Sequence, residues 1–252
     1  GPCKDVIHRF DSTASPEEIA STPLPTLLNL PIQQCWPDDG GRFITLPCVV
    51  TQDPDSGARN IGMYRMQVFD HQTTGMHWQL QKVAARHGRR YYEKGERMPV
   101  SVFLGGDPVY PFCATAPLPD GLDELLLAGY LRRDSVPLVK CETNNLQVPA
   151  NADIVIEGYV DPTEPLRSEG PFGDHTGYYT LPEDYPAFHI TAITHRSDAV
   201  YPSTIVGQPP MEDFYLGGAS VALFLPIFQM NFPEIVDIAL PAEGVFHNLV
   251  FV

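Results

Sequence analysis

Proline and glycine punctuate this chain from end to end, 26 and 20 among 252 residues. They are too dispersed to mark a low-complexity linker. A proline removes a backbone donor and a glycine invites a turn, so long regular elements are repeatedly interrupted. This pattern predicts many turns joining short strands. β-prone runs fall at 42–51, 62–70, 100–105, 137–142, 153–160, 187–195 and 234–240. Asp53-Pro-Asp-Ser-Gly57 supplies hairpin-turn chemistry between the first two. Helical spacing is confined to Trp78–Tyr92, Leu122–Leu131 and Tyr215–Met230, with a short helix-like piece at Ser15-Pro-Glu-Glu-Ile19. Residues 3–41 are otherwise Pro-rich and irregular, and 42–252 form the main body. The connections are too short for a regular βαβ array. The prediction is therefore α+β, with a mostly antiparallel sheet or barrel.

Charge removes several functions. Sixteen Lys and Arg against 31 acids leave a net charge of −15, which cannot supply a general basic surface for nucleic acid or for an anionic membrane. An anionic ligand would have to be held locally, by a metal ion or a few placed cations. No apolar run is expected to span a bilayer and no signal pattern opens the chain, so a soluble, cytoplasmic protein is expected. The five cysteines are odd in number and widely spaced, with no C-x-x-C, which points to reduced thiols. Gly1-Pro2 resembles the scar of a tag-removing protease. His247-Asn-Leu-Val-Phe-Val252 runs apolar with no polar stop, so the chain is expected to be a piece of a longer protein.

Four segments carry polar chemistry. Glu169-Gly-Pro-Phe-Gly-Asp-His-Thr-Gly177 places two acids five residues apart across a flexible bend. Acids brought close hold their second proton tightly, as a proton donor near neutral pH must; a surface turn with solvated acids is the plain alternative. Asn60-Ile-Gly-Met-Tyr-Arg65 offers a guanidinium suited to a carboxylate, though an arginine so placed is, taken alone, most often a solvated strand residue. His77, in Gly75-Met-His-Trp-Gln79 at an expected helix start, is a metal ligand or a hydrogen-bonded structural histidine. Glu124, in Pro119-Asp-Gly-Leu-Asp-Glu124, opens a helix, where dipole complementation alone accounts for it. P-loop, Rossmann, H-E-x-x-H and nucleophile-elbow motifs are absent from the sequence.

Together with Val139-Lys-Cys-Glu-Thr-Asn144, these segments resemble the UbiD family of reversible aromatic and unsaturated-acid decarboxylases, over nearly all of residues 25–252. The resemblance implies a split β-barrel like those of flavin reductases, binding prenylated FMN. It implies Asn60, His77 and Glu124 as ligands of Mn2+ or Mg2+ against the cofactor phosphate, with K+ beside it at the Cys113–Ala116 loop. Ile61, Met63, Tyr64, Arg65, Met76 and Trp78 would complete the cofactor site. Arg65 would grip the substrate carboxylate, Glu169 would fix Arg65, and Asp174 would protonate the product. The implied partners are an aromatic or unsaturated acid, CO2, a flavin prenyltransferase and further copies of the full-length chain. The rivals are a flavin- or metal-binding module without turnover and an ordinary FMN oxidoreductase.

Overall fold

The computed structural model describes residues 1–10 and 26–252. The helix-like piece expected at 15–19 lies outside them. A single large sheet organises the chain, in the order β1 (Val6–Arg9), β15 (Ala187–His195), β10 (Ile154–Val160), β7 (Met98–Leu104), β3 (Cys48–Gln52) and β4 (Arg59–Met63), with β6 (Thr73–Gly75) also on β15. Every pairing is antiparallel. The order runs openly from β1 to β4, and no pairing closes it among the described residues. β1 lies inside the stretch expected to be irregular. Its four residues show no strand pattern, and it is held by pairing to β15.

The central strands are apolar on both faces because both faces are covered. Val49, Val102, Leu104, Ile154 and Ile156 belong to one core cluster. Their alternates Cys48, Val50, Phe103 and Val155 belong to another. Helix α1 (Val83–Lys94) packs on the first face through Ala84 and Tyr91; α2 (Val109–Thr115) and α3 (Glu124–Arg132) close the second through Tyr110, Cys113, Leu125 and Ala128. Phe103 is fully buried and meets Tyr110 edge-on at 5.8 Å. Phe103→Ala is expected to lower unfolding stability by about 3–5 kcal/mol, read from denaturant titration.

Two glycines are dictated by close approach. A Cβ on Gly158, at the β10 bulge, would lie 1.9 Å from the His189 carbonyl oxygen, and one on Gly173 would lie 2.2 Å from the Trp36 ring. Smaller pairs finish the architecture: β2 (Phe43–Ile44) with β5 (Met66–Gln67), β8 (Leu138–Lys140) with β9 (Gln147–Pro149), β11 (Arg167–Glu169) with β14 (Glu183–Tyr185), and β12 (Phe172–Gly173) with β13 (Tyr179–Thr180).

Three expectations need correction. The helix expected from Trp78 begins at Val83; Met76 and Trp78 are buried in the core ahead of it, where the Trp78 N–H donates to the Met76 carbonyl at 2.7 Å. Residues 234–240 form no strand; only Ala239 bridges, to Phe251, and prolines at 233 and 241 bracket the run. Helix α4 (Glu212–Asn231) has a mean hydropathy of 1.2 and is 6% buried, so by length and composition it is long and apolar enough to cross a bilayer. One such helix is weak evidence for a span, and its first turn carries Glu212 and Asp213.

Candidate active site

The chain leaves the large sheet after Met63 and joins the small β2–β5 ladder at Met66, which swings Arg65 out of both. Its guanidinium grips Glu169 with two hydrogen bonds, Nε to Oε1 at 2.8 Å and Nη2 to Oε2 at 3.2 Å. The Phe172 ring lies under Cζ at 4.4 Å. Glu169 ends β11 with 1% exposure, and its Oε2 also meets His77 Nδ1 at 3.0 Å. Gln67 supports the bend from below: its Oε1 accepts from the Gly170 N–H at 2.7 Å, while its Nε2 donates to the Gly40 carbonyl at 2.7 Å. Asp39 Oδ1 accepts from the Gly173 N–H at 2.7 Å.

After Gly173 the chain turns tightly, with the Gly177 N–H donating to the Asp174 carbonyl at 3.1 Å. Asp174 faces a cavity of about 280 Å3 together with Arg65, His77, Gln79, His175 and Glu183. Past Gln79 and Glu183 that cavity adjoins a cleft of about 700 Å3, walled by Trp78, Tyr92, Leu166 and Tyr185. A guanidinium beside two carboxylates, at the mouth of a largely apolar cleft, suits an anionic ligand with an apolar body.

The electrostatics differ from the expected shared proton. Burial pushes the Glu169 carboxyl up, but hydrogen bonds from His77 and Arg65 outweigh it and hold the group below its ordinary range. Burial likewise pushes Asp174 up, and His175 outweighs it with the same net result. Each acid has its own cationic partner, so neither forces a proton onto the other. The Asp174 hydrogen bond raises the His175 imidazole against its burial. For Glu169 the depressed folded value means that stability from the clamp is complete above the unfolded carboxylate range and is lost as pH falls through the folded value. Glu169→Gln is therefore expected to flatten the acid limb of unfolding stability, measured by melting temperature against pH.

Asn60 and Glu124 meet at a separate cavity of about 260 Å3, which Arg59, Arg86, His87 and Arg90 also line. Glu124 Oε2 accepts from the Ile61 N–H at 2.9 Å, and Asp123 caps α3 by accepting from the Leu125 N–H at 2.8 Å. Burial raises the Glu124 carboxyl to about 6. The Asn60 Nδ2 is buried without a partner. An orphaned amide and a desolvated carboxylate in a cavity walled by arginines fit a cation bridging to an anion, the amide turning to present its oxygen.

The family model described as 3-octaprenyl-4-hydroxybenzoate carboxy-lyase Rift-related domain (UbiD) matches residues 9–209, and the corresponding C-terminal domain model matches residues 214–252. The chain belongs to the UbiD family. An uncharacterised protein of Archaeoglobus fulgidus is 53% identical over 252 residues, 100% of this chain and 49% of the relative. Another, of Aquifex aeolicus, is 53% identical over 226 residues, 90% of this chain and 46% of the relative. Among solved structures, the UbiD-class enzyme HmfF of Pelotomaculum thermopropionicum, in complex with prFMN, has a TM-score of 0.84 at 31% identity, over 97% of this chain and 54% of that one. Vanillic acid decarboxylase of Sedimentibacter hydroxybenzoicus, in closed form, has a TM-score of 0.85 at 25% identity, over 98% of this chain and 50% of that one. The chain thus spans about half the length of these relatives.

Within this UbiD-family chain the structure brings Arg65, Glu169 and Asp174 together, and separately Asn60 and Glu124. It does not bring His77 to the latter pair. Met76 and Trp78 are buried, and His77 between them meets Glu169 and the Tyr185 ring, the latter at 4.3 Å. The two cavities share no lining residue. No group of three or more His, Cys, Asp and Glu is placed to hold a metal among the described residues. Of the residues expected at the cofactor, Met76 is fully buried in the core, Ile61 contributes its N–H to Glu124, and Met63 is half-buried at the end of β4. Tyr64 and Trp78 meet edge-on at 6.5 Å, and the Trp78 Nε1 is buried without a partner. The loop expected at Cys113–Ala116 is the last turn of α2, where the Cys113 carbonyl accepts from the Ala116 N–H at 3.2 Å. Sequence reasoning passed over His175, although it adjoins Asp174. It had no signal for Gln67, Asp39 or Trp36, whose roles arise from distant chain segments.

Proposed function

We propose that the full-length protein is a cytoplasmic prenylated-FMN-dependent carboxy-lyase that removes CO2, reversibly and without net oxidation, from an aromatic or α,β-unsaturated acid. The observation that carries this reading is the Arg65–Glu169 clamp beside Asp174 at the mouth of an apolar cleft, in a UbiD-family chain. The relative HmfF is in complex with prFMN. The open antiparallel sheet is consistent with a split barrel.

In this reading Arg65 binds the substrate carboxylate, and Glu169 with His77 holds Arg65 in place. Asp174 delivers the proton to the carbon that loses CO2. The prenylated flavin, when bound, supplies the sink for the electron pair released as the C–C bond breaks. Asn60 and Glu124 would hold a divalent cation, Mn2+ or Mg2+, that offsets the cofactor phosphate. His77 is left to the catalytic cavity.

The test is to produce the full-length protein together with a flavin prenyltransferase, identify the bound flavin by mass spectrometry, and assay CO2 release from vanillic and 3,4-dihydroxybenzoic acids. Prenylated flavin with CO2 release supports the reading. Flavin without CO2 release from any acid favours the binding module, and nicotinamide oxidation on plain FMN favours the oxidoreductase. Glu124→Ala is expected to cut bound flavin and Mn2+ together by at least about 10-fold. Measured flavin and metal per chain that stay at the parent level would remove Glu124 from the site.

A further inference from the structure

Asp174 is the inner end of a line of hydrogen-bonding atoms that reaches solvent. Its Oδ1 lies 2.7 Å from His175 Nδ1, and His175 Nε2 lies 2.7 Å from His247 Nε2. His247 Nδ1 in turn lies 3.1 Å from Asn248 Oδ1. Asp174 and His175 are half-buried, and His247 is exposed. The Phe246 ring packs 5.6 Å from His175 and 4.9 Å from His247, covering one side of the pair. The contact joins two parts of the chain, because Asp174 and His175 lie within residues 9–209 and His247 within 214–252, the segments matched by the two domain models.

Two imidazole nitrogens at this separation need one proton between them, since two lone pairs or two N–H groups would repel. With Asn248 Oδ1 accepting from His247 Nδ1–H, a neutral His247 ring presents its Nε2 as an acceptor. His175 then donates from both nitrogens: Nε2–H to His247 and Nδ1–H to Asp174. It is an imidazolium between a carboxylate and a neutral ring. The surroundings favour that charge. Asp174, and Glu212 and Asp213 of α4, act on it electrostatically. Arg65, His77 and Glu183 line the same cavity. Acids outnumber fixed cations around the ring.

We propose that His175 is the proton reservoir for Asp174 and that His247 is the positioning residue that holds it in that role. The inference rests on the decarboxylase reading. Protonating the product carbon breaks the Asp174 O–H bond and leaves a carboxylate. Recharging breaks His175 Nδ1–H and forms Asp174 Oδ1–H, after which neutral His175 keeps its Nε2–H on His247 and regains a solvent proton at Nδ1. One proton enters from water for each CO2 released, and no electrons are exchanged. Without His247 the ring loses the acceptor that orients Nδ1 toward Asp174.

The experiment uses the full-length, cofactor-loaded protein. Deuterium exchange at the C2–H of each histidine, read by peptide mass spectrometry across pH, reports the titration of His175 without substrate. In the parent protein His175 is expected to titrate above an ordinary histidine, and both Asp174→Asn and His247→Ala should lower its midpoint. In parallel, His247→Ala should lower kcat on vanillic or 3,4-dihydroxybenzoic acid roughly 10- to 100-fold with KM little changed. Added imidazole or His247→Gln, which keeps an acceptor, should restore part of it. A His175 curve unmoved by His247→Ala overturns the inference, as does undiminished kcat in that variant. If the parent protein releases no CO2 while His175 and His247 prove coupled, the decarboxylase reading fails and the pairing stands.

Discussion

Arg65→Ala is expected to lower decarboxylation by about 10²–10³-fold or more while bound flavin stays near the parent level. Among the described residues the guanidinium is the one cation lining the Asp174 cavity that is fixed by two hydrogen bonds to a buried carboxylate. Its removal costs the substrate carboxylate its partner and leaves Glu169, at 1% exposure, with the His77 ring as its remaining side-chain partner among the described residues. Stripping one member from a buried ion pair costs about 3–5 kcal/mol where nothing replaces it. His77 offsets part of that here, so folding must be measured alongside turnover. Arg65→Lys separates the two effects. It keeps a positive charge but cannot reproduce the two-pronged grip, so stability should recover more than activity does. Full turnover by a folded, flavin-loaded Arg65→Ala protein would reject the clamp.

Asp174→Asn should slow product formation by about 10²–10⁴-fold, the range contributed by a positioned general acid. Solvent deuterium should no longer appear at the vacated carbon. The amide is nearly isosteric, and the 174–177 turn is closed by main-chain bonds. Loss of activity without loss of fold is therefore the expected combination. Normal deuterium incorporation in this variant would move the proton donor elsewhere in the cavity, which His77, His175 and Glu183 also line.

Much of this was legible in the residues. The β3–β4 hairpin follows from Asp53, whose Oδ1 accepts from the Asp55 and Ser56 N–H groups at 2.9 and 3.1 Å, chemistry that a turn sequence announces. Strand β15 and helix α3 were readable for the same reason, being governed by local periodicity and capping. The bend at 169–174 was visible in its glycines and proline. What misled the reading was, in each case, a partner far away in sequence. The expected proton sharing between Glu169 and Asp174 gave way to separate cations. His77 looked like a ligand for Asn60 and Glu124, but between the buried Met76 and Trp78 it meets Glu169 instead.

The amino-acid sequence by itself determined the family, the antiparallel α+β character, and the identity of the guanidinium and two acids at the candidate site. These are carried by motif order and by interactions within a few residues. Only the tertiary structure decided which groups share a cavity, which partner each acid meets and that His247 touches His175. Those outcomes depend on side-chain direction and on desolvation by segments 72 to 134 residues apart, and no local pattern encodes either.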